Sequence, residues 1–184
     1  RPELLALGYV KNQGLITNLN EIKSVQIDWD VSAAAITSTN KRNDWVDKLG
    51  TRIITSGCGQ GTIFNGIMEQ LDKFKIKSKK IKQSTIYLLL KNLNSYNDVY
   101  RNAGAVHGCA LCQNSKPLIF IEDVGRHNAL DKLIGHVRTN EMLKPVEQFV
   151  MCSGRLGFDI IQKAVMSGIG MIVGIGAPTS LALD

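Results

Sequence analysis

The sequence predicts an α/β protein, with a smaller α+β region over residues 1–72 followed by a three-layer α/β/α domain over residues 73–184. Three observations carry that expectation. From Leu118 onward, apolar strand-like runs alternate with helical stretches, the pattern of a βαβαβ unit and a largely parallel sheet with helices on its faces. Before residue 72 the pattern is mixed, with short alternating runs and a glycine-rich loop. Between the two lies Lys73–Lys82, which holds six lysines and no acid and marks a junction.

The elements follow in order. Pro2 to Val10 reads as a helix with proline in its first turn, ended by Gln13-Gly14. Val25 to Trp29 alternates like a half-buried strand, and Ala33–Thr37 and Arg52–Thr55 read as further short strands. Ser56-Gly57-Cys58-Gly59-Gln60-Gly61-Thr62 is a glycine-rich loop, suited to tight turns or to close backbone approach to a ligand. Ser84 is placed to cap a helix whose apolar residues Ile86, Leu89, Leu90 and Leu93 recur at helical spacing. A short helix covers Asp98–Ala103. Val106–Cys112, a turn over Gln113–Pro117 and Leu118–Ile121 then form a hairpin, with the cysteines at or near its turn. A helix near 126–138, a strand at 149–152, a helix near 156–167, a strand at 171–175 and a turn at Ala177-Pro178 complete the chain.

Composition narrows the class. A chain of 184 residues, 44% hydrophobic and 21% charged, buries a proper core. No apolar run reaches membrane-spanning length and the amino end lacks a signal-peptide layout, so a soluble cytoplasmic protein is expected, with no membrane association. Four cysteines are too few for a secreted disulfide framework, and reduced thiols fit better. The net charge of +6 is confined to the lysine segment, outside which acid and base balance. With no aromatic ladder beside it, that segment reads as solvated surface, and no nucleic-acid partner is expected.

In such a sheet, ligands gather at the carboxyl ends of the strands, here Glu122–Arg126, Ser153-Gly154-Arg155 and Gly176–Ser180. Arg126 and Arg155 would stand where free backbone N–H groups converge, a setting for phosphate or another anion. Asp123 either caps the helix or faces a donor-rich base such as guanine. His127 and Asn128 share the first helical turn with Arg126 and are candidates for the same ligand. His136, nine residues on, falls on the other side of the helix. Cys109 and Cys112 form a CxxC pair two residues after His107. Without a second ligand pair zinc is unsupported, and no metal site is expected. A thioredoxin-type dithiol opens a helix, which Pro117 argues against. What remains is an accessible, mobile thiol, assisted by His107 and suited to accept sulfur as a persulfide, or a buried inert pair.

Gly104–Cys112, Glu122–Lys132, Ser153-Gly154-Arg155 and Ala177–Leu181, taken in order, resemble the formate dehydrogenase accessory sulfurtransferase family, FdhD/NarQ. Leu4–Val10 is similar to that family's early helix, so the likeness spans nearly the whole chain. The resemblance implies a fold like cytidine deaminase in the second domain, although His127-Asn128-Ala129 and Ser153-Gly154-Arg155-Leu156 lack that enzyme's zinc motifs. It implies a cytoplasmic sulfurtransferase that takes persulfide sulfur from a cysteine desulfurase and passes it to the molybdenum bis-molybdopterin guanine dinucleotide cofactor of formate dehydrogenase. Cys109 would hold the sulfur and Cys112 would assist or resolve it. Asp123, Arg126, His127, Asn128, Ser153, Gly154 and Arg155 would bind the cofactor, with GDP as a mimic, in a homodimer. A cofactor chaperone without sulfur transfer and a dithiol oxidoreductase are the alternatives. The chain departs from the family at Cys58-Gly59-Gln60-Gly61, where Cys-Gly-x-Cys is frequent, at Gly176, where serine is usual, and at Leu156-Gly157. The family's opening strand and closing glycine-arginine segment find no counterpart between Arg1 and Asp184.

Overall fold

The computed structural model describes residues 1–39, 71, 74–144 and 146–183, and the backbone of 52–54 and 62–64. The glycine-rich loop with Cys58 lies outside the described residues. Helix α1 (Pro2–Asn12) leads to two paired strands, β1 (Ile22–Asp28) and β2 (Ala33–Ser38), and β3 (Arg52–Ile54) pairs with β4 (Thr62–Phe64). Helices α2 (Gln83–Leu93) and α3 (Asp98–Ala103) precede strands β5 (His107–Gln113) and β6 (Lys116–Asp123). Then come α4 (Arg126–Thr139), β7 (Gln148–Cys152), α5 (Phe158–Met166), β8 (Ile172–Gly174) and α6 (Ser180–Leu183).

The main sheet runs in the order β6-β5-β7-β8. Strand β5 is antiparallel to both neighbours and only β7–β8 pair in parallel, so the sheet is mixed rather than largely parallel. The reason is the hairpin: a two-residue turn at Asn114-Ser115 sends β6 to the outer edge, and the α4 crossover then carries the chain over β5 to β7. Asn114 adopts φ 54°, which asparagine tolerates better than most residues. Pro117 sits inside β6, as an edge strand permits.

Both faces of the sheet are covered. On one side Cys109, Leu111, Val150 and Cys152 pack with Leu130, Leu133, Ile134 and Val137 of α4 and Ile160 and Ala164 of α5. On the other, Ala110, Cys112, Phe149 and Met151 pack with Leu89 and Leu93 of α2. Full burial of each large aliphatic side chain contributes about 1.5–3 kcal/mol, so α4 anchors the first layer. Ser84 does not cap α2; the cap position is Lys82, and Ser84 lies in the first turn.

Helix α1 joins this domain, and a division at residue 72 does not separate the packing. A Cβ on Gly8 would lie 1.8 Å from the Asp131 carbonyl oxygen, and one on Gly135 2.1 Å from that of Leu4, so α1 and α4 meet backbone to backbone. A buried polar chain reinforces the contact. Asn12 Nδ2 donates to Asp131 Oδ1 at 2.6 Å, Lys163 Nζ to Asp131 Oδ2 at 2.6 Å, and Ser167 Oγ to Asn12 Oδ1 at 2.6 Å. Residues 74–82 run without helix or strand, with exposed lysines, and the Lys77 carbonyl lies against Gly170, where a Cβ would sit 2.4 Å from it.

Candidate functional site

The start of β5 and the ends of β6, β7 and β8 fall at one end of the sheet, and most of the expected residues gather there. His107 pairs across the ladder with Asp123, and the Gly108 N–H donates to Ser153 Oγ at 2.9 Å. Gly154 lies between two side chains: a Cβ there would stand 3.0 Å from Arg126 Cδ and 3.2 Å from His107 Nδ1. Only glycine lets these groups approach. His107 is held below its ordinary value, first by burial and then by the charge of Arg126 and of His127, so it is neutral at pH 7.

Two of the expected binding residues, Asp123 and His127, are engaged within the protein, and Arg155 stands away from a helix start. Asp123 is a corner pin, accepting from the Gly125 N–H at 2.9 Å and pairing with Lys132. Burial pushes its carboxyl up, but Lys132, the Gly125 N–H and Asn128 outweigh this and hold it below the usual carboxylate range. It faces its own helix start. His127 is buried, with Nε2 2.9 Å from Asp159 Oδ2. Burial raises Asp159, yet His127, the Ile160 N–H and Arg126 together lower it below its ordinary value. Gly157 makes room for this carboxylate, since a Cβ would sit 2.5 Å from Asp159 Oδ1. Arg155 is exposed, but it does not stand at a helix start. The chain stays extended past β7, bridges Leu156 to Pro178, and enters α5 only at Phe158. Asn128 is exposed on the first turn of α4.

The cysteine pair is the largest correction. Cys109 and Cys112 lie within β5, not at the hairpin turn, and are 1% and 0% exposed. Three residues apart on a strand, they point to opposite faces, Cys109 into the α4 layer and Cys112 into the α2 layer. They cannot bond to one another, so this pair cannot form the exchanging disulfide that a dithiol role for Cys109 and Cys112 needs. Cys109 instead lies opposite Cys152, Sγ to Sγ 3.3 Å. Burial, then Cys152, pushes the Cys109 thiol well up, and burial, then the charge of Cys152, pushes Cys112 up to about 12. Neither is a ready nucleophile.

Sequence reasoning missed the roles of Asp159 and Glu122, and that the helix it expected over Asp98–Ala103 lies at this site. Glu122 accepts from the Val99 N–H at 2.9 Å and the Tyr100 N–H at 2.8 Å, drawing α3 over the strand ends. Beneath it is a cavity of about 360 Å³ lined by Asn97, Tyr100, Val106, His107, Ser153 and Ile175. The carboxylate four residues before the first arginine corner was legible; its partner amides, more than 20 residues earlier, were not.

No helix among the described residues is long and apolar enough to cross a membrane. The chain is similar to sulfur carrier protein FdhD of Sulfurisphaera tokodaii, 32% identical over 98% of this chain and 68% of that protein. It is also similar to sulfur carrier protein FdhD of Bacillus subtilis, 30% identical over 99% of this chain and 70% of that one. In fold it is similar to a solved structure from Desulfotalea psychrophila described as a formate dehydrogenase accessory protein, with TM-score 0.71 and 23% identity over 99% of this chain and 67% of that chain. The FdhD/NarQ family model matches residues 1–184 throughout, and the chain belongs to the FdhD/NarQ family.

Proposed function

We propose that this chain is a cytoplasmic sulfur carrier for formate dehydrogenase maturation, taking persulfide sulfur from a cysteine desulfurase and delivering it to the molybdenum bis-molybdopterin guanine dinucleotide held at the strand ends. Its relatives' shared description as sulfur carriers supports the class of reaction. The grouping of Arg126, neutral His107, Ser153 and exposed Arg155 at one end of the sheet supports the binding of an anionic substrate. The homodimer and the cytidine-deaminase-like fold of the sheet domain belong to the same proposal.

The observation that carries the choice of thiol is the burial of Cys109, Cys112 and Cys152 in one sheet. A macromolecular donor must reach the accepting sulfur, and of the four cysteines only Cys58 is left. Its glycine-rich setting, at the place where relatives of this family often carry Cys-Gly-x-Cys, suits that role. In the transfer the Cys58 thiolate attacks the outer sulfur of the desulfurase persulfide. A new S–S bond forms on Cys58, the old one breaks, and the electron pair leaves on the desulfurase thiolate, with no net oxidation.

Incubation with a cysteine desulfurase and cysteine, followed by intact mass measurement, tests this. Wild type and Cys109→Ser should gain the mass of a sulfur atom, and Cys58→Ser should not. Sulfur on Cys58→Ser that vanishes in Cys109→Ser would return the role to the sheet pair.

A further inference from the structure

Cys109 and Cys152 stand directly opposite one another on β5 and β7, and the backbone hydrogen bonds around them define the kind of pair they form. The Ser153 N–H donates to the Gly108 carbonyl, so the neighbouring pair, Gly108 with Ser153, is the hydrogen-bonded one. Cys152 turns its own carbonyl the other way and accepts from the Ile175 N–H, just past β8. Cys109 and Cys152 are therefore a non-hydrogen-bonded pair, whose Cα atoms in such a ladder stand about 4.5 Å apart. That lies within the span of roughly 4.4–6.8 Å that a disulfide bridges. Both side chains point into the α4 layer with their Sγ atoms 3.3 Å apart, so small side-chain rotations bring them to a bond length of about 2.05 Å. Cys112 faces the other layer, and the residue across from it is Phe149.

We propose that Cys109 and Cys152 are a modification site for hydroperoxides, at which a two-electron oxidation joins them in a cross-strand disulfide that fixes the start of β5 to the end of β7, where His107 and Ser153 stand. Cys152 reacts first, because it ends β7 and is 5% exposed against 1% for Cys109. Its sulfur attacks one peroxide oxygen and the O–O bond breaks. The departing oxygen takes up the Cys152 proton and leaves as water or an alcohol, with a sulfenic acid left on Cys152. The Cys109 sulfur then attacks the Cys152 sulfur, the S–O bond breaks, and the hydroxyl leaves with the Cys109 proton as water. Two thiols have lost two electrons, and one peroxide has gained them. Enclosure selects this product: hydrogen peroxide is small and uncharged, and a sulfenic acid on Cys152 has a second thiol in contact with it, so condensation outruns further oxidation.

Hydrogen peroxide added to the folded Cys58→Ser chain tests the site, since Cys109, Cys112 and Cys152 are then its thiols and the result is independent of the carrier reading. Intact mass should show the loss of two hydrogen atoms. After unfolding, Cys112 should be the one thiol that still alkylates, and digestion should yield a peptide joining Cys109 to Cys152. A thiol reductant should restore all three thiols. In the same background Cys112→Ala should keep the loss of two hydrogens and Cys152→Ala should abolish it, while the peptide map of the parent chain decides the matter whether or not these variants fold. The Ser153 amide, whose hydrogen bond flanks the pair, should exchange more slowly in the oxidised protein. Oxygen gained without a cross-link, a bond made to Cys112, or three alkylatable thiols after a peroxide dose that consumes them in denaturant overturns the site. Unchanged or faster Ser153 exchange in the cross-linked chain overturns its hold on the strand ends.

Discussion

Cys109 and Cys112 show how the same residue pattern supports opposite chemistries in different backbone settings. In a helix or loop, a three-residue spacing brings two thiols together; on β5 it sends them to opposite faces, each under a helix layer. The letters were legible and so was a strand over 106–112, but a strand buried on both faces shows no polar alternation, and nothing in it marked the thiols as enclosed. His107 and Arg126 were legible because they sit at the ends of elements, where side chains converge whatever the strand order. Brief treatment of the native protein with a small alkylating reagent at pH 8 should therefore leave Cys109, Cys112 and Cys152 unmodified. Unfolding in denaturant first should raise the count to all four cysteines of the sequence, read by intact mass. Labelling of Cys109 in the native protein at the rate seen in denaturant would contradict the burial.

At the scale of elements, the contact between α1 and α4 makes the sharpest prediction. Glycine in a helix interior ordinarily costs about 0.5–1 kcal/mol relative to alanine, so replacing Gly8 or Gly135 in isolation should stabilise. Here the added methyl would fall 1.8 Å or 2.1 Å from a backbone oxygen of the facing helix, and backbone cannot swing aside. Gly8→Ala and Gly135→Ala should each instead destabilise by about 3 kcal/mol, seen as a lower denaturation midpoint at unchanged slope. Helix existence here was legible, with α1, α3 and α4 starting where the sequence placed them, because caps, proline and apolar spacing are local signals. Pairing was not. Gly8 and Asp131 are far apart in sequence, as are Asn12 and Asp131, and no local pattern says which helix a glycine face will meet. The parallel sheet was misjudged for the same reason: alternation of strand and helix fixes the crossover's hand, but not whether an earlier strand already occupies the neighbouring place.

At the scale of the whole molecule, groups at the two sides of neutrality set a stability plateau. On the acid side, Asp123 and Asp159 are held below the usual carboxylate range and His107 below its ordinary 6.5. The folded protein therefore binds fewer protons than the unfolded chain wherever the unfolded group has titrated and the folded one has not. Stability is lost as pH falls, in a stage opening near 6.5 from His107 and another below about 4 from the two aspartates. On the alkaline side the sign reverses. Cys109 and Cys112 are raised, Cys112 from 9.0 to about 12, so above about 9 the folded state keeps protons the unfolded chain has released, and stability falls again as pH rises. Each proton of difference changes the unfolding free energy by about 1.4 kcal/mol per pH unit. Urea midpoints measured from pH 3 to pH 10 should thus be flat between about 7 and 8.5 and fall on both sides. Cys112→Ala should flatten the alkaline limb and His107→Gln the limb opening near 6.5, each leaving the other limb in place. An alkaline limb unchanged in Cys112→Ala and Cys109→Ala alike would mean that the sheet thiols are not enclosed in the folded protein.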